Sequence, residues 1–143
     1  MNAEWRRLVE AAKEARERAY APYSRFKVGA ALLGASGRIY TGCNVENASY
    51  GATWCAERTA VGAAIAGGER SFTAIAVVAD TGGPCAPCGI CRQVLAEFGQ
   101  EIAVIMANLR GDVEVRRVRE LLPFGFGKEA LAPEGVSERD ADG

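Results

Sequence analysis

The apolar positions along this chain follow two different periods, and these periods predict its helices and strands. Over residues 4–19 the apolar side chains recur every three or four positions with charges between them, which is typical of an amphipathic helix. Residues 26–33 are almost all apolar or glycine, which favours a strand covered on both faces. The turn-forming residues 34–37 and the run 38–43 then predict a β-hairpin.

The rest of the chain alternates between helical segments and β-rich runs, which predicts parallel pairing through right-handed crossovers and helices on both sheet faces. The link at residues 108–112 is too short for a crossover, so the last strand should return antiparallel. The predicted fold is therefore a three-layer α-β-α sandwich with a mixed five-stranded sheet. Its later elements are a helix from near Cys55 to the glycines at 67–68, a strand at 72–79, a helix from about Cys88 to Phe98, and strands at 102–107 and 113–118.

Chain length and composition predict one domain over residues 1–133. A chain of 143 residues has the usual size of a single domain, and 49% hydrophobic with 24% charged residues is ordinary globular composition. A short helix should end at residues 121–123, because the last of these residues is a proline. Residues 134–143 are small and charged, and we expect them to form a mobile tail.

Charge and hydropathy limit the kinds of partner that this protein can be expected to bind. The formal net charge is -1 and there is no long basic run, so the electrostatic footprint of a nucleic-acid-binding protein is missing. The arginine-rich residues 116–119 are interpreted as the solvated edge of a short strand. There is neither a signal-peptide core nor a run of eighteen apolar residues. We therefore expect a cytoplasmic protein without membrane contact.

Five cysteines and the absence of histidine limit the chemistry open to this chain. An odd number of thiols cannot pair completely, and in a reducing compartment clustered thiols favour a metal site or catalysis. Without histidine, Ser-His-Asp and Cys-His catalysis and histidine-ligated metal sites are excluded. Cys55, Cys88 and Cys91 fall where helices begin at the carboxyl ends of strands. Three thiolates there can bind zinc and leave its fourth position open.

Two residues next to Cys55 bear on whether such a metal site is catalytic. Glu57 can take a proton from a metal-activated water and return it to a leaving group, as hydrolysis requires. The alternative is an acid that the helix dipole favours at a helix N-terminus. Arg58 can donate hydrogen bonds to thiolate sulfurs and offset their charge. The alternative for Arg58 is an ordinary surface arginine.

Other interpretations of the thiols stay open on residue types alone. Cys85, Cys88 and Cys91 match part of an iron–sulfur spacing, with Cys55 as a fourth ligand. A Cys-x-x-Cys pair beside a helix also suits a thioredoxin-like redox site. A structural zinc module is a further alternative. None of these three gives Glu57 a role.

Two cysteine motifs resemble the signature of the zinc deaminases: Cys-Ala-Glu-Arg-Thr-Ala at residues 55–60 and Pro-Cys-Gly-Ile-Cys-Arg-Gln at residues 87–93. Over about residues 20–131 the chain is similar to the small homotetrameric cytidine deaminases. The resemblance implies one zinc per chain on the three cysteines, with Glu57 as acid and base. The implied reaction is hydrolytic deamination of cytidine and deoxycytidine to uridine and deoxyuridine plus ammonia, in pyrimidine salvage.

The same resemblance implies a nucleoside pocket that is shared between subunits. Phe26 would pack against the pyrimidine, and Asn44 and Glu46 would bind the ribose hydroxyls. Phe126 corresponds to the family aromatic that reaches a neighbouring subunit's site. A deaminase for a blasticidin-type nucleoside antibiotic is the nearest alternative enzyme, and the intact Asn-Val-Glu-Asn segment at residues 44–47 argues against it.

Two positions next to the second cysteine motif depart from the usual signature. Cys85 is not part of that signature, and Ala86 stands where the family often has serine. We interpret Cys85 as a free thiol that takes no part in the chemistry. Cys43, at the end of the predicted hairpin, is interpreted as a small buried residue and not a ligand.

Overall fold

The computed structural model describes residues 1–131; the predicted tail at 134–143 lies outside the described residues. All the predicted helices and strands are present, with ends within three residues of the expected ones. The strands are β1 (Val28–Gly34), β2 (Ile39–Cys43), β3 (Phe72–Ala79), β4 (Ala103–Asn108) and β5 (Val113–Arg117). The helices are α1 (Ala3–Arg16), α2 (Ala56–Ala66), α3 (Gly89–Phe98) and the short α4 (Val118–Leu121), with 3₁₀ turns at Tyr50–Ala52 and Lys128–Ala130.

Helices cover both faces of the sheet, because alternate residues of the central strands point to opposite sides. In β3, Val78 packs into the core on the α1 side, together with Leu8. Its neighbour Val77 packs into the core on the other side, together with Ala60 of α2 and Leu95 of α3. The three-layer sandwich is confirmed. No helix of residues 1–131 is long and apolar enough to cross a lipid bilayer.

One strand pairing differs from the expectation. The strand order is β2-β1-β3-β4-β5, so β3 pairs antiparallel with β1 and not parallel with β2. Strands β2 and β3 still run in the same direction, since β1 is antiparallel to both. Burial gives the reason: six of the seven β1 residues are buried, whereas β2 is mostly exposed or half-buried and occupies the sheet edge. The parallel β3–β4 pair and the antiparallel β5 agree with the prediction.

A glycine on β2 sets the position of α2. A Cβ atom on Gly42 would lie 2.5 Å from the carbonyl oxygen of Ala56 and 2.5 Å from the backbone nitrogen of Ala60. The helix therefore lies directly on the backbone of β2, at a distance that only glycine permits. Any side chain at Gly42 would displace the first turn of α2, where Cys55 and Glu57 are found.

Candidate active site

Three thiols meet where α2 and α3 begin. Cys55 is the N-cap residue of α2, Cys88 is that of α3, and Cys91 is buried in the first turn of α3. The Sγ atoms of Cys55 and Cys88 are 3.9 Å apart, those of Cys88 and Cys91 are 3.3 Å apart, and all three lie within 4.8 Å of one another. Zinc–sulfur bonds of about 2.3 Å in a tetrahedron place sulfurs about 3.8 Å apart, so the cluster fits zinc.

The surroundings favour a thiolate on Cys55. Its hydrogen bond with Cys91 lowers the pKa most, burial opposes the shift, Arg58 and Cys88 lower the pKa further, and the result is a pKa of about 5. The same hydrogen bond, followed by burial, raises the pKa of the Cys91 thiol. The cluster therefore carries negative charge at neutral pH, which attracts a divalent cation.

Arg58 contacts the thiol cluster directly. Its Nη2 atom donates a hydrogen bond to the carbonyl oxygen of Thr53 at 3.0 Å and another to Sγ of Cys55 at 3.5 Å. The first bond holds the guanidinium in place, and the second puts positive charge beside a thiolate. The sequence predicted this contact, and its effect on the chemistry stays a prediction.

Glu57 lies on the first turn of α2 and is 4% exposed. Burial raises the pKa of its carboxyl group, and the charge on Cys55 acts in the same direction. Burial thus favours the protonated form of this carboxyl group, as an acid that must hold a proton requires. The position suits the acid and base role that the sequence predicted for this residue.

One pocket of about 250 Å³ connects the thiols to the predicted nucleoside-binding residues. Most of its surface is apolar, and none of the described residues that line it is lysine or arginine. Six predicted site residues line this pocket: Phe26, Asn44, Glu46, Cys55, Glu57 and Cys88. Side chains from two distant stretches of the chain therefore face one cavity.

Asn44 and Glu46 line the pocket and also hold its wall together. Oδ1 of Asn44 accepts a hydrogen bond from the backbone nitrogen of Val28 at 2.9 Å, and its Nδ2 donates to the carbonyl oxygen of Phe26 at 2.8 Å. Glu46 accepts hydrogen bonds from the backbone nitrogens of Tyr23 at 2.9 Å and Ser24 at 3.1 Å, and one from the Ser24 hydroxyl. Sequence reasoning missed these bonds and the pocket position of Ser24.

Cys85 lines the same pocket, although the sequence indicated no role for it. The side chain is 8% exposed, and burial, followed by the charge of Glu57, raises the pKa of its thiol to about 11. The thiol is therefore protonated at neutral pH, and it is not among the three cysteines of the metal cluster. Cys43 is half-buried at the end of β2 and lies outside that cluster as well.

Phe126 does not line the pocket of its own chain. Its side chain is 59% exposed, and its carbonyl oxygen accepts a hydrogen bond from Nε2 of Gln93 at 2.8 Å. Gln93 belongs to α3, the helix that carries Cys91. The predicted reach of Phe126 to a neighbouring subunit stays a prediction.

Two polar side chains anchor the loop that carries Cys88. Asn108, buried at the end of β4, donates a hydrogen bond to the carbonyl oxygen of Thr81 at 3.0 Å. Arg92 of α3 donates from Nε to the carbonyl oxygen of Pro87 at 2.8 Å. Hydrogen-bonded polar groups of this kind rigidify the backbone around them, and here they hold the loop that ends at Cys88.

The model of the cytidine and deoxycytidylate deaminase zinc-binding region matches residues 3–107, which include all three clustered thiols and Glu57. The chain belongs to this family. A cytidine deaminase of Sporosarcina psychrophila is 56% identical over 127 residues, which are 88% of this chain and 93% of the relative. Family membership confirms the resemblance seen in the sequence and zinc as the metal, and the iron–sulfur and redox interpretations lose their support.

Solved structures of family members have the same fold. The cytidine deaminase of Burkholderia pseudomallei superposes with a TM-score of 0.84 at 56% identity, over 88% of this chain and 100% of that chain. The cytidine deaminase of Mycobacterium tuberculosis superposes with a TM-score of 0.75 at 45% identity, over 88% of this chain and 99% of that chain. The α/β deaminase fold therefore holds for this family member.

Proposed function

We propose that this protein is a zinc-dependent cytidine deaminase, which hydrolyses cytidine and deoxycytidine to uridine and deoxyuridine and releases ammonia. One observation carries the proposal. A single pocket is lined by two thiols of the three-thiol cluster that fits zinc, by a buried glutamate next to that cluster, and by an aromatic, an amide and a carboxylate on its other wall. Metal chemistry and nucleoside recognition thus share one cavity.

Proton transfer in this pocket is the task of Glu57. A zinc ion held by Cys55, Cys88 and Cys91 would supply the activation of a water molecule in this pocket. The Glu57 carboxylate takes a proton from that water as oxygen adds to C4 of the pyrimidine, and it passes the proton to N3. Glu57 then takes the remaining proton from the oxygen on C4 and delivers it to the amine; the C4–N bond breaks as the C4–O double bond forms, and ammonia leaves. Arg58 stabilises the thiolate of Cys55 during these steps.

Nucleoside recognition falls to the opposite wall of the pocket. Phe26 packs against the pyrimidine ring, and Asn44 and Glu46 bind the ribose hydroxyls with the hydrogen-bonding capacity that their backbone contacts leave free. A phosphate group would meet the carboxylate of Glu46 and no cation among the described residues that line this pocket. The proposed substrate is therefore a free nucleoside and not a nucleotide.

We infer that the active form is a homotetramer in which Phe126 completes the pocket of a neighbouring subunit. The inference is supported by large apolar side chains that stay exposed in the single chain, as protein–protein interfaces require. Because free nucleosides are the substrates of pyrimidine salvage, we propose that this protein acts in pyrimidine salvage in the cytoplasm. Besides Phe26 (43%), which lines the pocket, the exposed aromatic side chains among residues 1–131 are Tyr20 (56%), Tyr23 (50%), Tyr50 (77%), Trp54 (60%), Phe124 (107%) and Phe126 (59%).

The purified protein tests the assignment directly. We expect about one zinc per chain, loss of ultraviolet absorbance from cytidine, and equimolar release of ammonia. Deoxycytidylate and a blasticidin-type nucleoside serve as competing substrates in parallel assays. A zinc-loaded protein without turnover of cytidine or deoxycytidine would contradict the proposal, and faster turnover of deoxycytidylate would assign the protein to the nucleotide branch of the family.

Mixing two defective variants tests the shared site. Glu57→Gln disables the chemistry of its own chain, and Phe126→Ala disables the contact to a neighbour. When both variants are unfolded and refolded together, some sites combine an intact Glu57 with an intact Phe126 from another chain. We expect activity to return in the mixture. A mixture as inactive as its components, in an oligomer that contains both chains, would contradict the sharing.

A further inference from the structure

Ser24 bridges two of the proposed nucleoside-binding residues without itself belonging to the recognised motifs. Its hydroxyl group donates a hydrogen bond to Oε2 of Glu46 and accepts one from the backbone nitrogen of Phe26 at 3.0 Å. Its backbone nitrogen donates to Oε1 of Glu46 at 3.1 Å. Both oxygens of the carboxylate are therefore oriented by this one residue.

The backbone around Ser24 adopts a conformation that needs such support. The next residue, Arg25, has a φ of 59°, in the left-handed region that residues other than glycine rarely adopt. This conformation persists where surrounding contacts determine it; here Glu46 bonds Ser24 from 22 positions away, and the backbone nitrogen of Arg25 donates to the carbonyl oxygen of Ala21 at 3.0 Å. The turn leads directly into Phe26, so its shape sets the direction of the aromatic ring.

We propose that Ser24 is a positioning residue of the substrate pocket: its hydroxyl group holds the Glu46 carboxylate and the Phe26 backbone in the arrangement that receives the nucleoside. The kinetic part of this proposal rests on the proposed function, because it takes Glu46 and Phe26 to be nucleoside contacts. Ser24 acts through these two neighbours and takes no part in the reaction at C4.

The chain contains a matched control for this arrangement. Ser36, in the β1–β2 turn, donates to the carboxylate of Glu69 and accepts from the backbone nitrogen two residues ahead, at Arg38. Ser24 makes the same two contacts with Glu46 and Phe26. Ser36 does not line the pocket. Ser36→Ala therefore removes the same pair of hydrogen bonds at a place without contact to substrate.

The first measurement does not depend on turnover. The carboxyl pKa of Glu46 is followed by carbon NMR in the zinc-loaded protein, in Ser24→Ala and in Ser24→Thr. We expect the pKa to rise towards its ordinary value in Ser24→Ala, because the hydroxyl donor is lost, and to stay low in Ser24→Thr. Glu46 lines the pocket and also a neighbouring recess, which it shares with Tyr23 and Tyr50. The other titratable groups that line these two cavities are Tyr23, Tyr50, Cys55, Glu57, Cys85 and Cys88.

The second measurement is steady-state kinetics with cytidine. We expect Ser24→Ala to raise KM about tenfold, the loss of one hydrogen bond to a charged group, and to change kcat by no more than about twofold. Ser24→Thr should restore KM, and Ser36→Ala should leave both constants unchanged. In a Glu46→Gln background the effect of Ser24→Ala should shrink, because the residue acts through that carboxylate.

Each result decides a different statement. An unchanged Glu46 pKa in Ser24→Ala overturns the positioning role, whether or not the protein deaminates cytidine. A raised pKa without turnover of cytidine in the wild type supports the positioning role and overturns the proposed function. A loss of kcat with KM unchanged, or an equal effect of Ser36→Ala, shows a merely structural contribution and overturns the proposal.

Discussion

Two glutamates face the same pocket, eleven positions apart in the sequence, and their surroundings act on them in opposite directions. Glu57 is buried on the first turn of α2, and burial raises its carboxyl pKa. Glu46 is only half-buried on the loop after β2, and hydrogen bonds from Ser24 and Tyr23 lower its carboxyl pKa. Burial thus favours the protonated form of Glu57, whereas hydrogen bonds favour the ionised form of Glu46.

This difference shows how one residue type can serve two tasks in one cavity. A carboxyl group that must gain and lose a proton benefits from a pKa raised towards the working pH, which burial provides. A carboxylate that accepts hydrogen bonds from substrate hydroxyl groups must stay ionised, which donors around it ensure. The opposite pKa shifts therefore agree with the separate tasks proposed for Glu57 and Glu46.

Glu57→Gln tests the proton-transfer role of Glu57, for which we expect the largest effect. Glutamine keeps the shape but cannot transfer a proton, so we expect kcat to fall by at least about 10³-fold with KM for cytidine changed little. Zinc content and melting temperature should stay at or above the wild-type values, because a buried ionisable group is replaced by a neutral one. Substantial turnover in the zinc-loaded variant would remove Glu57 from the chemistry.

Arg58→Gln changes the charge on the Glu57 side of the pocket. We expect a loss of about 10- to 100-fold in kcat/KM or in zinc affinity, the usual cost of losing a partner of a metal ligand. Arg58→Lys should not restore it, since the shorter lysine side chain does not bring its ammonium nitrogen to the position from which Nη2 of Arg58 bonds both Thr53 and Cys55. Chelator competition and steady-state kinetics measure both effects, and a fully active Arg58→Gln would show that the thiolates need no offset.

Glu46→Gln should have the opposite kinetic signature to Glu57→Gln. We expect KM for cytidine to rise by about tenfold or more, with kcat within a few-fold of the wild type, because a ground-state contact is weakened. The control is Glu69→Gln, whose carboxylate bonds Ser36 outside the pocket. A large loss of kcat in Glu46→Gln would mean that both glutamates take part in the reaction, which would contradict their separate tasks.

Acid unfolding tests the pKa of Glu46 without substrate. Its pKa is lower in the folded protein than the ordinary 4.5, so the unfolded chain binds this proton more readily. The stabilisation is therefore fully present above pH 4.5 and is lost as the pH falls through the folded pKa. We expect urea unfolding to show a shallower loss of stability over that range for Glu46→Gln than for the wild type; parallel curves would contradict the shift.

Cys85→Ala should have the smallest effect. The thiol lies beside Glu57, but we propose for it neither proton transfer nor nucleoside binding. We therefore expect kcat and KM to stay within about twofold of the wild type. With a pKa of about 11, the thiol should also resist iodoacetamide at pH 8 in the native protein, which mass spectrometry reveals. A large kinetic change would mean that Cys85 contributes to the environment of Glu57.

The sequence by itself determined the metal side of the site. Cys55 and Glu57 are two positions apart where α2 begins, and Cys88 and Cys91 lie within the first turn of α3. Helical geometry fixes each short spacing, and the rule that helices begin at the carboxyl ends of parallel strands predicted that the two helix starts lie together. The order of helices and apolar runs likewise determined the layers of the fold and the reversal of β5.

Only the tertiary structure decided how the proposed nucleoside-binding residues are held in place and which strands neighbour β1. Ser24 meets Glu46 across 22 positions, and Asn44 meets Val28 across 16, through loops that have no sequence period. The pairing of β3 with β1 depended on which strand could bury both of its faces, a property of the assembled sheet. Contacts between distant segments follow from packing, whereas contacts within one helical turn follow from the sequence alone.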